Sequence, residues 1–276
     1  MSARTGGIRG AGGPPTPPGT GEGPPTPPGA GEGPPTPPGA EGGTGELFPR
    51  EPAVIAPGAV HVPDWLPPER QRQLVEACRG WARGPVPLRR TALPGGGVMS
   101  VRTVCLGWHW QPYRYSRTAD DVNGARVADL PDWLVELGRA ALEAAYGDGT
   151  GGGGWGGGAA AERVTGYTPD TALINFYDGT ARMGMHQDKE ERSGAPVVSL
   201  SIGDRCVFRL GNTENRGRPY TDVELTSGDL FVFGGPARFA YHGVPKVYAG
   251  TADPRCGLRT GRLNITLRET GLPEDG

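Results

Sequence analysis

Metal-binding side chains stand close together in one stretch of this sequence. His186-Gln187-Asp188 closes a run over 171–190 that reads as a strand, a turn at Asp178 and Gly179, and a second extended stretch. In an extended backbone residues two apart point to the same side, so His186 and Asp188 offer an imidazole and a carboxylate to one point. Two histidines and one carboxylate on one face of an octahedral iron leave the opposite positions open for a co-substrate and oxygen. The chain has four histidines: His61, His109, His186 and His242. His61 precedes the expected start of the core and His109 sits in an aromatic loop, so His242 is the natural partner. It follows an apolar run expected to form two strands, 229–233 and 239–241, joined by a Gly-Gly-Pro turn.

A single H-x-D is weak, because so short a pattern recurs by chance and a lone histidine is usually structural. The end of the chain strengthens it. Residues 262–268 alternate strictly, with Leu263, Ile265 and Leu267 on one face and Arg262, Asn264, Thr266 and Arg268 on the other. On a half-exposed edge strand the two arginines would simply be hydrated. Inside a barrel they need counter-charges, since an unpaired buried guanidinium is prohibitively costly. A dicarboxylate would supply them, gripped by the planar guanidinium fork.

In this order, Asn175-Phe176-Tyr177, His186-Gln187-Asp188, His242 and Arg262-x-Asn264-x-x-x-Arg268 resemble the AlkB family of Fe(II)- and 2-oxoglutarate-dependent dioxygenases, which repair alkylated nucleic-acid bases. The likeness also takes in Leu173-Ile174, Phe239-Ala240-Tyr241, Met99-Ser100-Val101 and Leu106-Gly107-Trp108, and covers roughly 47–270. It implies Fe(II) on the catalytic triad His186, Asp188 and His242, with 2-oxoglutarate and O2 as co-substrates. Arg262 would pair with the distal carboxylate, assisted by Asn264 and Tyr177, while Arg268 and Asn175 serve the end near the metal. The implied reaction couples conversion of 2-oxoglutarate to succinate and carbon dioxide with hydroxylation of an N-linked alkyl group; the hemiaminal then releases an aldehyde and the repaired base. 1-Methyladenine and 3-methylcytosine, in DNA or RNA, are the expected lesions, because spoiled pairing lowers the cost of extruding the base.

A nucleotide-recognition lid is expected over about 87–118, where arginines alternate with aromatics. By resemblance Trp108 faces the base, with Met99, Ser100 and Tyr113 nearby. His186 stacks on the base, and Glu190 either contacts it or is a solvated acid. Two other readings stay open: a 2-oxoglutarate oxygenase acting on protein or a small molecule, and a catalytically silent binding module.

Around these motifs the chain of 276 residues is uneven, with 49 Gly and 30 Pro. Three near-identical decapeptides begin at Gly13, Gly23 and Gly33, and carry no large apolar side chain. Residues 1–45 are therefore expected to be a disordered Pro/Gly-rich tether of unknown partner. The domain follows over 46–276, interrupted by a surface insertion at 147–158 that lacks the lysine of a phosphate-binding loop. Helices are expected from Pro67 and Pro68 through Gln71, Leu74, Val75 and Cys78, and from a capping Asp132 to about Tyr146. Seven short strands after residue 170 complete a mainly β fold with flanking helices (α+β), a cupin-like jelly roll or double-stranded β-helix. A net charge of −2 excludes a generally cationic coat and leaves phosphate binding to a local patch. With no apolar N-terminal core, no membrane span and four scattered cysteines, a monomer with reduced thiols in the cytoplasm is expected.

Overall fold

The alternating strand at the end of the chain lies in the middle of the molecule. In the computed structural model, which describes residues 49–147 and 166–273, Arg262–Arg268 pairs antiparallel with Thr171–Tyr177 on one side and Val197–Gly203 on the other. All seven of its residues are buried, which excludes the half-exposed edge. Leu263, Ile265 and Leu267 join a core shared with the helices, and Arg262, Asn264 and Arg268 line a cleft on the opposite face.

That strand, β14, belongs to an eight-stranded sheet in the order β1 (Ala53–Ala56), β2 (Ala59–Val62), β12 (Leu230–Phe233), β9 (Val197–Gly203), β14, β7 (Thr171–Tyr177), β4 (Val98–Leu106) and β3 (Arg89–Ala92). A four-stranded sheet has the order β11 (Thr221–Leu225), β10 (Cys206–Leu210), β13 (His242–Val247) and β8 (Met183–His186). Their inner faces bury Tyr177, Phe208, Phe231, Phe233 and Val244 against one another. Two facing antiparallel sheets of this kind form the double-stranded β-helix. A separate hairpin, β5 (His109–Gln111) and β6 (Arg114–Ser116), follows β4.

Helices α1 (Pro68–Trp81) and α2 (Asp132–Tyr146) cover the outer face of the large sheet. Pro68 suits the first turn, whose N–H groups have no intrahelical partner. The buried face of α1 is Gln71, Leu74, Val75 and Cys78, as its spacing predicts. In α2, Leu134, Leu137, Ala141, Leu142 and Ala145 face inward, each leucine contributing about 2 kcal/mol by leaving water. A Cβ on Gly138 would lie 3.0 Å from Leu267 Cδ1, so a glycine there lets α2 approach β14 closely.

Four local expectations need correction. Pro131 occupies the N-cap of α2 and no side chain caps it; Asp132 stands in the first turn, where its charge favours the helix dipole. Residues 239–241 are not a strand, because the chain turns through a short 3-10 helix, Gly235–Ala237, and sends Arg238 inward before β13 begins at His242. His61 does not precede the core. It lies in β2, buried, with Nε2 2.9 Å from an Asp229 carboxylate that also pairs with Arg50 at 2.7 Å. His109 lies in β5 rather than a loop, fully buried, 2.6 Å from Asp121. The four cysteines are free and buried. Among the described residues no helix is long and apolar enough to cross a membrane. The repeat tail, and the glycine-rich insertion beyond Gly147, lie outside the described residues.

Candidate metal centre and substrate cavity

His242 and His186 meet because β13 and β8 place them directly opposite each other in the ladder, beside an irregularity in register. Gly243 permits this approach: a Cβ there would lie 2.7 Å from the Met183 carbonyl. Asp188 stands two residues beyond His186, past the end of β8, with Oδ1 3.6 Å from His186 Nε2 and Oδ2 3.5 Å from His242 Nε2. The three ligand atoms all lie within 4.8 Å of one another.

The imidazoles are set up as ligands. His186 Nδ1 lies 2.9 Å from the Gly184 carbonyl and His242 Nδ1 3.0 Å from that of Ala240. A carbonyl only accepts, so each Nδ1 carries the proton and each Nε2 presents its lone pair to the shared point. Burial would raise the Asp188 carboxyl, but the Arg268 guanidinium outweighs it and the group is held at about 2. Arg268 Nη2 sits 2.8 Å from Asp188 Oδ2 in a contact whose alignment leaves that oxygen without a formed hydrogen bond. Two neutral imidazoles and a carboxylate with a lone pair to spare fit a divalent iron.

Burial pushes the His242 imidazole down to about 4, despite the Asp188 charge. The unfolded chain binds this proton near 6.5, so between about 6.5 and 4 the unfolded state holds more protons than the folded one. His242 is therefore neutral at no cost above pH 6.5, and the fold loses stability as pH falls toward 4. In metal-free protein with a chelator, the unfolding midpoint is expected to drop over that window. A His242→Gln variant should lose part of the slope, and an identical slope in the variant would contradict the assignment.

Beneath the triad runs a narrow cleft lined by Asn175, Tyr177, His186, His242, Arg262 and Asn264. Arg262 is the decisive feature. It is fully buried, donates from Nη2 to Ser201 Oγ at 2.9 Å and lies 5.1 Å from the centre of the Tyr177 ring. Its Nε and Nη1 have no partner, and no carboxylate among the described residues forms an ion pair with it. A buried cation with idle donors is costly, and a carboxylate entering the cleft would relieve that cost. The cleft thus fits 2-oxoglutarate by its chemistry. Burial pushes the Tyr177 hydroxyl up to about 12, so it remains a donor.

Asn175 accepts from Thr103 at 2.8 Å, which leaves its NH2 end as the remaining donor. Asn264 lines the cleft, but its amide already donates to Ser199 Oγ at 2.7 Å and to the Leu200 carbonyl. It braces β14 against β9 more than it offers a free donor.

Above the triad opens a cavity of about 430 Å³, lined by Met99, Ser100, Trp110, Tyr113, His186 and Glu190 among others. Met99, Ser100, Tyr113, His186 and Glu190 thus line one cavity. Ser100 is tied down, donating to the Arg182 carbonyl and accepting from its N–H. Glu190 is half-buried, and burial raises its pKa, so it is a cavity residue rather than a freely solvated acid.

Trp108 does not face the cavity. The chain bends at Gly107, φ +74°, and turns the indole into the protein, where it is 1% exposed. There Nε1 donates to Asp170 at 3.0 Å and the Arg117 guanidinium stacks 3.7 Å above the ring. Trp110, two residues on in β5, lines the cavity instead. Sequence reasoning also missed Glu191, a buried carboxylate that accepts from Arg268 at 2.9 Å, from the Tyr115 hydroxyl and from Arg238. It ties the β5–β6 hairpin to the arginine that supports Asp188. Its one trace in the sequence is its place beside Glu190, where it is indistinguishable from a surface acid.

A facial triad on the inner face of a double-stranded β-helix defines a class, and the profile of the 2OG-Fe(II) oxygenase superfamily matches residues 58–268. Within that class the AlkB homolog of Caulobacter vibrioides is 35% identical over 225 residues, covering 79% of this chain and 90% of the relative. The chain belongs to the AlkB family of 2OG-Fe(II) oxygenases. The DNA N(6)-methyladenine demethylase ALKBH1D of Arabidopsis thaliana is 33% identical over 227 residues, 78% of this chain. This chain spans about half the length of that relative and of the similar ALKBH1C. The solved structure of OsALKBH1 superposes with a TM-score of 0.65 at 28% identity, covering 79% of this chain and all of that one.

Proposed function

We propose that this protein removes alkyl groups oxidatively from nitrogen atoms of nucleic-acid bases, coupled to decarboxylation of 2-oxoglutarate. The observation that carries the reading is the cavity: His186 and Asp188 of the metal-binding triad in its lining, an aromatic wall from Trp110, and the exposed cations Arg182, Lys189 and Arg216. At about 430 Å³ it falls within the range of about 300–1,000 Å³ usual for small-ligand sites. Bound iron with 2-oxoglutarate and dioxygen supplies the oxidation of the alkyl carbon and yields succinate.

The chain's own residues do the rest. His186, Asp188 and His242 hold the metal, Arg262 and Tyr177 take the distal carboxylate, and Arg268 with Asn175 serves the inner end. His186 and Trp110 flank the base, Glu190 meets its polar edge, and the exposed cations take phosphates. The substrates of this reading are 1-methyladenine and 3-methylcytosine in single-stranded or locally opened DNA, and in RNA, because their spoiled pairing lowers the cost of extruding the base. The names of the Arabidopsis relatives add N6-methyladenine to the set to be tested.

Anaerobic reconstitution with Fe(II) and 2-oxoglutarate, followed by oxygen, tests the reading on DNA and RNA oligonucleotides carrying each modified base. Loss of one methyl mass with stoichiometric succinate is expected. Succinate without any change in the oligonucleotides would move the substrate to protein or a small molecule. Neither product, in protein shown to bind iron, would refute the oxygenase.

A further inference from the structure

The β5–β6 hairpin ends in a two-residue turn, Pro112-Tyr113, closed by the pair Gln111 and Arg114. Proline presets the first turn position, and the second has positive φ, where glycine is the favoured residue. Tyr113 occupies it at φ +72°. Asp64 is the one other non-glycine residue with positive φ among those described. A bulky side chain in this conformation stores strain, and strain of this kind persists only where the surroundings hold it.

Among the described residues nothing offsets that strain. The Tyr113 side chain makes no hydrogen bond or ring contact among the described residues, and it is 71% exposed, more than any other large apolar side chain described. The turn beneath it is firmly held. Tyr115 donates to the buried Glu191, and His109 pairs with Asp121. A rigid base thus carries an unpartnered aromatic ring to the mouth of the cavity, next to Pro112 and Leu93. The cations of the same cavity, Arg182, Lys189 and Arg216, suit a polyanionic strand passing over that mouth.

We propose that Tyr113 is a stacking platform for the unpaired base next to the one that enters the cavity, and so selects single-stranded nucleic acid over an isolated nucleotide. The proposal rests on the base-dealkylase reading above and adds a second base to the site. The two positions differ in depth. His186 and Trp110 wall the cavity beside the metal ligands, whereas Tyr113 stands at the rim. An aromatic face accepts any base, so the platform confers polymer preference without sequence preference.

The test uses the full chain with Mn(II) and 2-oxoglutarate in the absence of oxygen, and short single-stranded DNA and RNA oligonucleotides. Each oligonucleotide carries 1-methyladenine with 2-aminopurine on one side or the other. Stacking on Tyr113 is expected to change 2-aminopurine fluorescence on one side only, and Tyr113→Phe should keep that signal and the affinity. Tyr113→Gly should lose the signal and weaken binding by about 10-fold, yet raise the unfolding midpoint by about 3 °C as the strain is released. This opposite movement of stability and affinity separates a functional ring from a structural one.

Equal affinity and signal in wild type and Tyr113→Gly would overturn the stacking role. Loss of affinity in Tyr113→Phe as large as in Tyr113→Gly would overturn it too, in favour of a phosphate bond from the hydroxyl. Failure of the wild type to bind any oligonucleotide, while it binds Mn(II) and 2-oxoglutarate, would remove the base-dealkylase reading itself.

Discussion

Replacing Asp188 by asparagine is expected to abolish turnover, lowering kcat at least about 1,000-fold, or about 4 kcal/mol of transition-state stabilisation. The amide has the carboxylate's shape but no charge, and its nitrogen offers no lone pair to a metal. Mn(II) binding, read by electron paramagnetic resonance, should fail in parallel. Stability moves as well. Asp188 is held at about 2 against an ordinary 3.8, mainly by Arg268 overcoming burial, which corresponds to about 2 kcal/mol favouring the folded state.

The sign follows from the direction of the shift. A depressed carboxyl contributes fully above its unfolded pKa, near 4, and its contribution fades as pH falls toward 2. At pH 7 the metal-free Asp188→Asn protein should therefore be less stable than wild type by about 2 kcal/mol, since Arg268 keeps Glu191 as its remaining ion-pair partner. Denaturant unfolding measures it. Near-normal succinate production by the variant would remove Asp188 from the metal centre.

The second large effect is expected at Arg262, and it carries two signs. Arg262→Met should raise the KM for 2-oxoglutarate by at least about 100-fold, the loss of a bidentate charge-assisted pair. In protein without co-substrate the same change should be neutral or stabilising. Wild-type Arg262 is a buried cation with two idle donor nitrogens, Nε and Nη1, and no ion-pair partner among the described residues, whereas methionine fills similar space without a polar group to satisfy. Thermal unfolding with Mn(II) reads both halves. Added 2-oxoglutarate should raise the midpoint of wild type by mass action and leave the variant unmoved. A variant destabilised without ligand, with an unchanged KM, would make Arg262 a structural residue.

Lid and site were legible to different depths. The β5–β6 hairpin was expected only as part of an aromatic lid over about 87–118, and the choice of its base-facing indole went to Trp108. Gly-Trp-His-Trp offers two indoles, and nothing local says which one a bend at Gly107 turns inward. The partners that hold Trp108, Asp170 and Arg117, are respectively 62 and 9 residues away, and only tertiary packing brings them to the ring. His61 was misplaced for the same reason: its partner Asp229 is 168 residues distant. Glu191 went unseen because its three partners come from β6, β14 and the turn before β13.

What the residues alone determined was periodic or nearest-neighbour in nature. Period two over 262–268 specified a strand with apolar and cationic faces, and helical spacing specified the buried sides of α1 and α2. H-x-D pointed to two candidate metal ligands, His186 at the end of β8 and Asp188 just beyond it. The tertiary structure decided which face of β14 met which neighbour, and so settled between a hydrated edge and a buried position for its two arginines. It decided that Gly243 lets β8 close on β13 and bring His186 to His242, and which aromatic reaches the cavity. Such outcomes depend on contacts between segments far apart in sequence, whose register is set by the packing of whole sheets rather than by any local preference.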